Sequence, residues 1–510
     1  MTTALDFSST VAIVGSGAMG AGIAQVAAAA GHSVILYDTR PEATEAALGT
    51  IRKTFQMLAD KGRMTAEAAA AAGARLRAAT ELAELAGAKL VVEAIVENLE
   101  VKRGLFASLE EVVGADCILA TNTSSISVTA LAAKLRRPGR LVGMHFFNPV
   151  PLMALVEVIS GLATDSDVAA IVYATAAAWG KSPVYAKSTP GFIVNRVARP
   201  YYAEGLRLLS EQAGDVATID AILREAGGFR MGPFELMDLI GHDVNFAVTQ
   251  SVFQAYFNDP RFTPSLQQQE LVSAGYLGRK TGRGFYPYGK DAAPPQPHTE
   301  APQAAPQQVA IAGSGAVADA LATRLAAAGV TLTRAAAAPA EAALLACGGA
   351  QLYLTDGRSA TQRARDSGVA DTVLLDLALD YASAGRIALA AADQCNVAAY
   401  QALVGLFQAA GFAVSRLDDV PGMAVMRTVA MLANEAADAV NQGVCSAEGA
   451  DIAMRKGVNY PRGPLAWADA IGLAEVQTVL QNLAAAYGED RYRVSPLIRR
   501  KVAGGGRVHP

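Results

Sequence analysis

A chain of 510 residues with 52% hydrophobic and 18% charged side chains is globular material, too long for one core and expected to divide into about three or four domains. Its net charge of −4, with no block of Lys and Arg, excludes nucleic acid as the main partner, because phosphates are held by clustered cations. Cys117, Cys347, Cys395 and Cys445 are scattered, with no CxxC pair and no neighbouring histidines, so no metal centre is expected and a reduced compartment fits.

In chain order, the opening MTTALDFSST lacks a basic segment followed by an apolar one, and no uncharged apolar run is long enough to cross a bilayer. A cytoplasmic protein without a membrane partner is expected. From residue 10 to about 186, β-branched runs (TVAIVGSG, SVILYD, LVVEAI, CILATNTS, RLVGMHF, LVEVIS) alternate with Ala-rich helical stretches, the pattern of a parallel sheet covered by helices. From 190 to about 287 the chain reads as helices broken at Gly and Pro. The Pro/Ala/Gln-rich stretch 288–308 is expected to be a semi-extended linker that lets its two sides fold separately. The same order then returns. The predicted domains are 1–187 (α/β), 188–287 (all-α), 309–418 (a degenerate, shortened α/β) and 419–510 (a second all-α).

The helical pieces are repeats. An offset of 231 residues carries PGFIVNR at 190 onto PGMAVMR at 421, Glu204 onto Glu435, Asp220 onto Asp451 and GPFELMDLIG onto GPLAWADAIG, with 12 of 52 positions identical and no gap. Similarity between two Ala-rich helices would not keep Gly-Pro and Asp in register, so the chain is read as a duplication.

In VAIVGSGAMGAG, Gly15, Gly17 and Gly20 form a GxGxxG directly after a strand and at the start of a helix. The first glycine permits the turn, the second lets a pyrophosphate approach the backbone, and the third packs helix on strand, with free helical N–H groups facing the phosphate. The next strand ends at Asp38, where a carboxylate would bind ribose hydroxyls and repel a 2′-phosphate, although Arg40 follows closely. A doubly wound Rossmann-type domain binding NAD is the expectation.

Two later strand ends are polar. ILATNTSSI ends in Asn122, Thr123, Ser124 and Ser125, and RLVGMHFFNPVPLMALVEVI carries His145 and Asn148, with Glu157 in the next strand. Carboxyl ends of strands are where open α/β sheets bind ligands. Imidazole oriented by a carboxylate can take an alcohol proton during hydride loss. The residues alone leave His145 open between such a base and a hydrogen-bonded interior histidine, and Glu157 between its partner and a strand-capping acid. His32, His242, His298 and His509 are read as structural or exposed.

The runs VVEAIVENLEVK, ATNTSSI, GMHFFNPVPLMALVEVI, STPGFIVNR and YLGRKTGRGFY, over residues 8 to 288, resemble the L-3-hydroxyacyl-CoA dehydrogenases. The resemblance implies His145 as the base toward the C3 hydroxyl, Glu157 as its orienting acid, and Ser124, Asn148 and Asn195 around the substrate oxygens. It also implies Glu97 and Lys102 near the cofactor, and Thr54 and Lys61 as CoA contacts on a helical hairpin, where Lys61 reads equally as a solvated surface lysine. The implied reaction converts an L-3-hydroxyacyl-CoA to a 3-oxoacyl-CoA with NAD. The two-repeat length is similar to bacterial members of phenylacetate catabolism, implying 3-hydroxyadipyl-CoA ahead of 3-hydroxybutyryl-CoA. A non-catalytic NAD-binding sensor or scaffold, and a 3-hydroxyacid dehydrogenase of related fold, are the alternatives. The intact set of His145, Glu157 and Asn195 argues against the first, and the HxFNP stretch against the second.

The second copy has lost this chemistry. It keeps Gly313 and Gly315, but Ala318 replaces the third glycine, Ala336 the ribose acid and Met426 the position of Asn195, and no histidine lies between Gly385 and Pro421. One NAD site and one acyl-CoA site are expected. The second helical repeat is expected to pack on the first as an intrachain pseudo-dimer, with a homo-oligomer still open.

Overall fold

The computed structural model describes residues 3–290, 292–312, 315–335 and 343–509. The first sheet has eight strands: β1 (Thr10–Val14), β2 (Ser33–Tyr37), β3 (Leu76–Ala79), β4 (Leu90–Glu93), β5 (Ile118–Thr121), β6 (Leu141–Phe146), β7 (Leu155–Ser160) and β8 (Ser182–Lys187), in the order β3-β2-β1-β4-β5-β6-β7-β8. Neighbours run parallel except β6 and β7. The order departs in opposite directions from β1 and β4, so a crevice opens beyond their carboxyl ends. Val11, Ile13, Val34, Leu36, Val92 and Val142 are buried in this sheet, which is covered on both faces as parallel strands require.

Two of these strands have no clear signature in the sequence. Arg and Ala fill "LRAA" of β3, which is strand only because Val34 and its neighbours on β2 offer a parallel register. β8 begins Ser-Pro, and proline is tolerated there because β8 ends the sheet. Between β1 and β2 lies helix α1 (Ala18–Ala30), and between β2 and β3 a hairpin of α2 (Pro41–Asp60) and α3 (Ala66–Ala74). Leu48, Ile51 and Phe55 form the buried stripe of α2 at helical spacing.

This sheet belongs to a compact unit made of Met1–Arg196 and Ala439–Asn459. The later segment carries the helix Ala447–Gly457, which packs on β7 and β8. Its Gly457 lies so close that a Cβ there would stand 2.6 Å from Leu155 Cδ2. Lys187 N of β8 donates to Val444 O at 2.9 Å. A piece of the second repeat thus covers the open edge of the first sheet, where unpaired strand groups would otherwise face solvent.

The other unit comprises Val197–Asp438 and Tyr460–Pro510. It holds a seven-stranded sheet of β9 (Gln308–Ala312), β10 (Thr331–Ala335), β11 (Leu345–Cys347), β12 (Ala350–Leu354), β13 (Thr372–Leu375), β14 (Arg386–Ala391) and β15 (Ala413–Arg416), in the order β10-β9-β11-β12-β13-β14-β15. The antiparallel β13–β14 pair repeats β6–β7, whereas β11 runs antiparallel to both neighbours. Gly313 and Ala336, two of the positions read for the second nucleotide turn, lie outside the described residues. Ala318 is buried in the helix Ala316–Ala327, and Met426 donates its N–H to Asp376.

The Pro/Ala/Gln-rich stretch is extended but is not a free spacer. His298 N donates to Thr218 Oγ1 at 2.8 Å, Ser415 Oγ to His298 O at 2.7 Å, Gln303 N to Gln408 Oε1 at 2.9 Å and Tyr400 OH to Glu300 Oε1 at 2.9 Å. Prolines prevent regular structure here, and the remaining polar groups find partners along the unit they cross.

Within this unit the helical repeats meet through buried charge. Arg427 donates to Glu204 Oε2 at 2.6 Å, Glu211 Oε2 at 2.8 Å and Tyr492 OH at 2.9 Å. Arg261 of the first repeat donates to Glu435 of the second at 3.0 Å. Glu204 and Glu435 are equivalent under the 231-residue offset, and each receives an arginine of the other repeat, although Arg427 and Arg261 are not themselves equivalent positions. No helix among the described residues is long and apolar enough to cross a membrane.

Candidate active site

The nucleotide turn follows from sterics. Gly15 has φ of 107°, and a Cβ there would lie 2.5 Å from Ala94 O. A Cβ on Gly20 would lie 1.8 Å from Gly15 O. Gly17 is different: its φ of −65° suits any residue and a Cβ would meet nothing within 4 Å. Neither backbone conformation nor neighbouring atoms require a glycine at this N-cap, whereas close approach of a pyrophosphate to the start of α1 would.

Asp38 follows β2. Its Oδ2 accepts Ser16 N at 2.9 Å and Ser16 Oγ at 2.8 Å, and its Oδ1 accepts Arg40 N at 3.1 Å. Burial pushes its carboxyl up, but these bonds and the Arg40 charge outweigh that and hold it below the usual carboxylate range. The charged acid, with lone pairs to spare, fits ribose hydroxyls.

His145 and Glu157 are directly opposite each other on the antiparallel β6–β7 pair. His145 Nδ1 lies 2.6 Å from Glu157 Oε2, with His145 5% exposed and Glu157 fully buried. Glu157 Oε1 accepts Ile193 N and Val194 N, both at 3.0 Å. A carboxylate so held accepts a hydrogen bond from Nδ1–H, which leaves the Nε2 lone pair of the neutral ring free as an acceptor. Phe147 and Phe192 flank the imidazole, with ring centroids at 4.5 and 5.9 Å.

Ser124 sits after β5, on a loop organised by Glu97. Glu97 Oε1 accepts Thr123 Oγ1 at 2.6 Å, Ser124 N at 3.0 Å, and Ser125 N and Oγ at 3.1 and 2.9 Å. Burial raises the Glu97 carboxyl, but the Thr123 bond and the Lys102 charge prevail and keep it low. Lys102 is buried and bonds Glu93 Oε1 at 2.5 Å, with Glu97 Oε2 at 3.3 Å. Asn195 Nδ2 lies 3.5 Å from Ser124 O, so the polar loop and the chain after Gly191 converge. Asn148 is exposed just past β6.

Thr54 donates to Thr50 O within α2 and Lys61 is exposed at its carboxyl end; neither bonds the His145 group through its side chain. Sequence reasoning missed Glu93, which also accepts Thr121 Oγ1 at 2.7 Å; Asn122, named at the polar strand end without a role, accepts Phe146 N on its Oδ1 at 2.8 Å. An acid ending the apolar run LVVE was the available signal for Glu93. Of the histidines read as structural, His32 bonds Ser9 O at 3.0 Å and His242 bonds Asp238 at 2.7 Å, both buried.

Comparison with known proteins agrees with this architecture. The family model of the 3-hydroxyacyl-CoA dehydrogenase NAD-binding domain matches residues 10–189, and that of the C-terminal domain matches 191–288 and again 422–507. A 3-hydroxybutyryl-CoA dehydrogenase reduced Rossmann-fold domain matches 352–421. The chain is 43% identical to the 3-hydroxyadipyl-CoA dehydrogenase of Escherichia coli K12 over 96% of its length and 97% of that protein. It is 42% identical to a probable 3-hydroxybutyryl-CoA dehydrogenase of Deinococcus radiodurans over 54% of this chain and 99% of that one. A crystal structure of 3-hydroxybutyryl-CoA dehydrogenase from Escherichia coli K12 superposes with a TM-score of 0.87 at 42% identity, covering 97% of this chain and 98% of that one. With its NAD-binding fold, its helical domain and a relative alike along nearly the whole length, the chain belongs to the 3-hydroxyacyl-CoA dehydrogenase family and carries out NAD-dependent oxidation of a 3-hydroxyacyl-CoA.

Proposed function

We propose that this oxidation runs at a single site in the first repeat, with His145 as the base. The observation that carries the reading is the buried 2.6 Å bond from His145 Nδ1 to Glu157. Nε2 takes the C3 hydroxyl proton, and Glu157 stabilises the imidazolium that forms. Bound NAD supplies the hydride acceptor. Gly15, Gly17, Gly20 and Asp38 hold it, and Glu97, backed by Lys102, fixes the loop beside it. Ser124, Asn148 and Asn195 orient the substrate oxygens, which matters because proton and hydride must leave the same carbon from one bound geometry. Thr54 and Lys61 contact CoA on the α2–α3 hairpin.

The substrate we favour is 3-hydroxyadipyl-CoA, ahead of 3-hydroxybutyryl-CoA, because the relative alike over the full two-repeat length bears the former name. The domains follow the boundaries 1–187, 188–287, 288–308, 309–418 and 419–510. The later repeat serves as architecture, its helices forming an intrachain pseudo-dimer with the first; the reciprocal acids Glu204 and Glu435 support this. A cytoplasmic location accords with the reaction. Initial rates of NADH formation from both acyl-CoA substrates test the proposal. The dicarboxylic substrate is expected to give the higher kcat/KM; a clear preference for the butyryl compound reverses the assignment, and no NADH from either overturns the function.

A further inference from the structure

The seam between the helical repeats carries a half-open pocket of about 400 Å³ in the second compact unit, lined by Tyr202, Leu206 and Phe262 with the exposed Leu266 at its mouth. Four arginines reach its lining: Arg199, Arg207 and Arg261 from the first repeat and Arg491 from the second. Arg491 is 4% exposed, yet its guanidinium makes no hydrogen bond among the described residues. Its carboxylate contact is Nε to Glu489 Oε2 at 3.4 Å, an oxygen already bonded by Arg207 Nη2 at 2.8 Å. A buried charge left without hydrogen bonds is strongly unfavourable unless something arrives to meet it.

Repeat symmetry identifies what is missing. The short turns Pro260–Phe262 and Asp490–Tyr492 hold the same place in the two repeats, at an offset of 230 because the second repeat is one residue shorter by this point, which makes Arg261 and Arg491 counterparts. Arg261 spends both terminal nitrogens on the chain itself, Nη1 on Glu435 at 3.0 Å and on Asp438 and Nη2 on Arg493 O at 3.0 Å, which leaves Nε alone without a partner among the described residues. Asn434 helps close that side by donating to Arg493 O at 2.9 Å and accepting Ser495 N at 2.8 Å. Under the 231-residue offset, Asp438 corresponds to Arg207 and Asn434 to Ala203. On the Arg491 side a carboxylate has become an arginine and an amide has become a methyl. The cavity lies there, with Ala203 in its wall. Glu204, the counterpart of Glu435, has Oε2 bonded by Arg427 and Tyr492, and Glu211 of the lining is bonded by Arg427 and Tyr487. The side-chain oxygen of Gln267, also in the lining, is buried without a partner.

We propose that this pocket is a carboxylate site, in which a small organic acid places its carboxylate on Arg491 and Arg207, where Asp438 stands in the other repeat, and lays its alkyl tail on Tyr202, Leu206, Phe262 and Leu266. The apolar wall selects a fatty-acid-like carboxylate over inorganic phosphate. The site is independent of the catalytic reading, since none of its residues serves the His145 group.

The test is calorimetric titration of the full chain with hexanoate, hexan-1-ol and inorganic phosphate, with melting curves in parallel. Wild type is expected to bind hexanoate saturably, phosphate more weakly and hexan-1-ol not at all. Arg491→Gln is expected to lose about tenfold or more in hexanoate affinity while its NADH formation stays at the wild-type rate. Arg207→Asp, which restores the carboxylate of the other repeat, is expected to abolish hexanoate binding and to raise the melting temperature without ligand. Absence of saturable hexanoate binding, equal binding by Arg491→Gln, or phosphate binding as tightly as hexanoate would each overturn the proposal.

Discussion

At Gly17 the requirements of the fold and of the ligand come apart. Gly20 cannot carry a Cβ without striking Gly15 O, so Gly20→Ala should unfold the turn itself. Gly17→Ala has free space and an ordinary φ, so its stability should stay within about 1 kcal/mol of wild type. Its methyl would stand where the proposed pyrophosphate contact is made. A fluorescence titration is expected to show NAD affinity lowered by about tenfold or more with an unchanged melting curve, about 1.4 kcal/mol lost from binding alone. Glu157→Gln makes a companion case. It keeps an acceptor for Ile193 N or Val194 N but loses the charge facing the imidazole, so kcat is expected to fall by about 10²-fold with little change in KM for NAD. The spacing from His145 to Glu157 was legible because a hairpin turns between them and places them in register. The two N–H donors on Glu157 were not, since they arrive from a chain segment 36 and 37 residues later.

Among elements, the later α/β piece kept a mechanical link without a histidine to pair with an acid. In the first repeat, Glu157 binds the N–H groups of Ile193 and Val194 as the chain enters its helices. In the second, Asp376 after β13 binds the equivalent Ala424 and Val425, and Met426 as well. The anchor survives, moved to the strand that in the first repeat carries His145. Burial pushes the Asp376 carboxyl up to about 6 despite these bonds. The folded state therefore holds this proton more tightly than the unfolded chain. Its stabilising contribution is complete below about pH 4 and is lost as pH rises through about 6, at most about 3 kcal/mol. Melting of Asp376→Asn against wild type from pH 4 to 7 is expected to show a shallower decline in the variant. Strands with β-branched runs were readable from sequence, as in TVAIV and LVEVI. β3 and β8 were not, because their neighbours create them, and Asp376 looked like any strand-end acid.

Across the molecule, duplication has made the repeats unequal partners. One compact unit takes Ala439–Asn459 from the second repeat to cover β8, and the other joins the two helical layers through Arg427 and Arg261. The sequence offset made the repeat visible, but not which charges would cross between its halves. Arg427 and Glu204 are both buried, so Arg427→Met leaves an uncompensated carboxylate and is expected to cost about 3–5 kcal/mol, with Glu204→Gln added in the same chain recovering part of it. Chemical denaturation of the two single variants and the double variant measures that coupling. One site, built on His145 in the first repeat, is proposed to do all the chemistry. The most direct measurement is the rate of NADH formation from a 3-hydroxyacyl-CoA by His145→Gln at saturating NAD, with folding confirmed by melting. A fall of about 10²–10⁴-fold with NAD affinity retained is the predicted result, and a rate equal to wild type would contradict it.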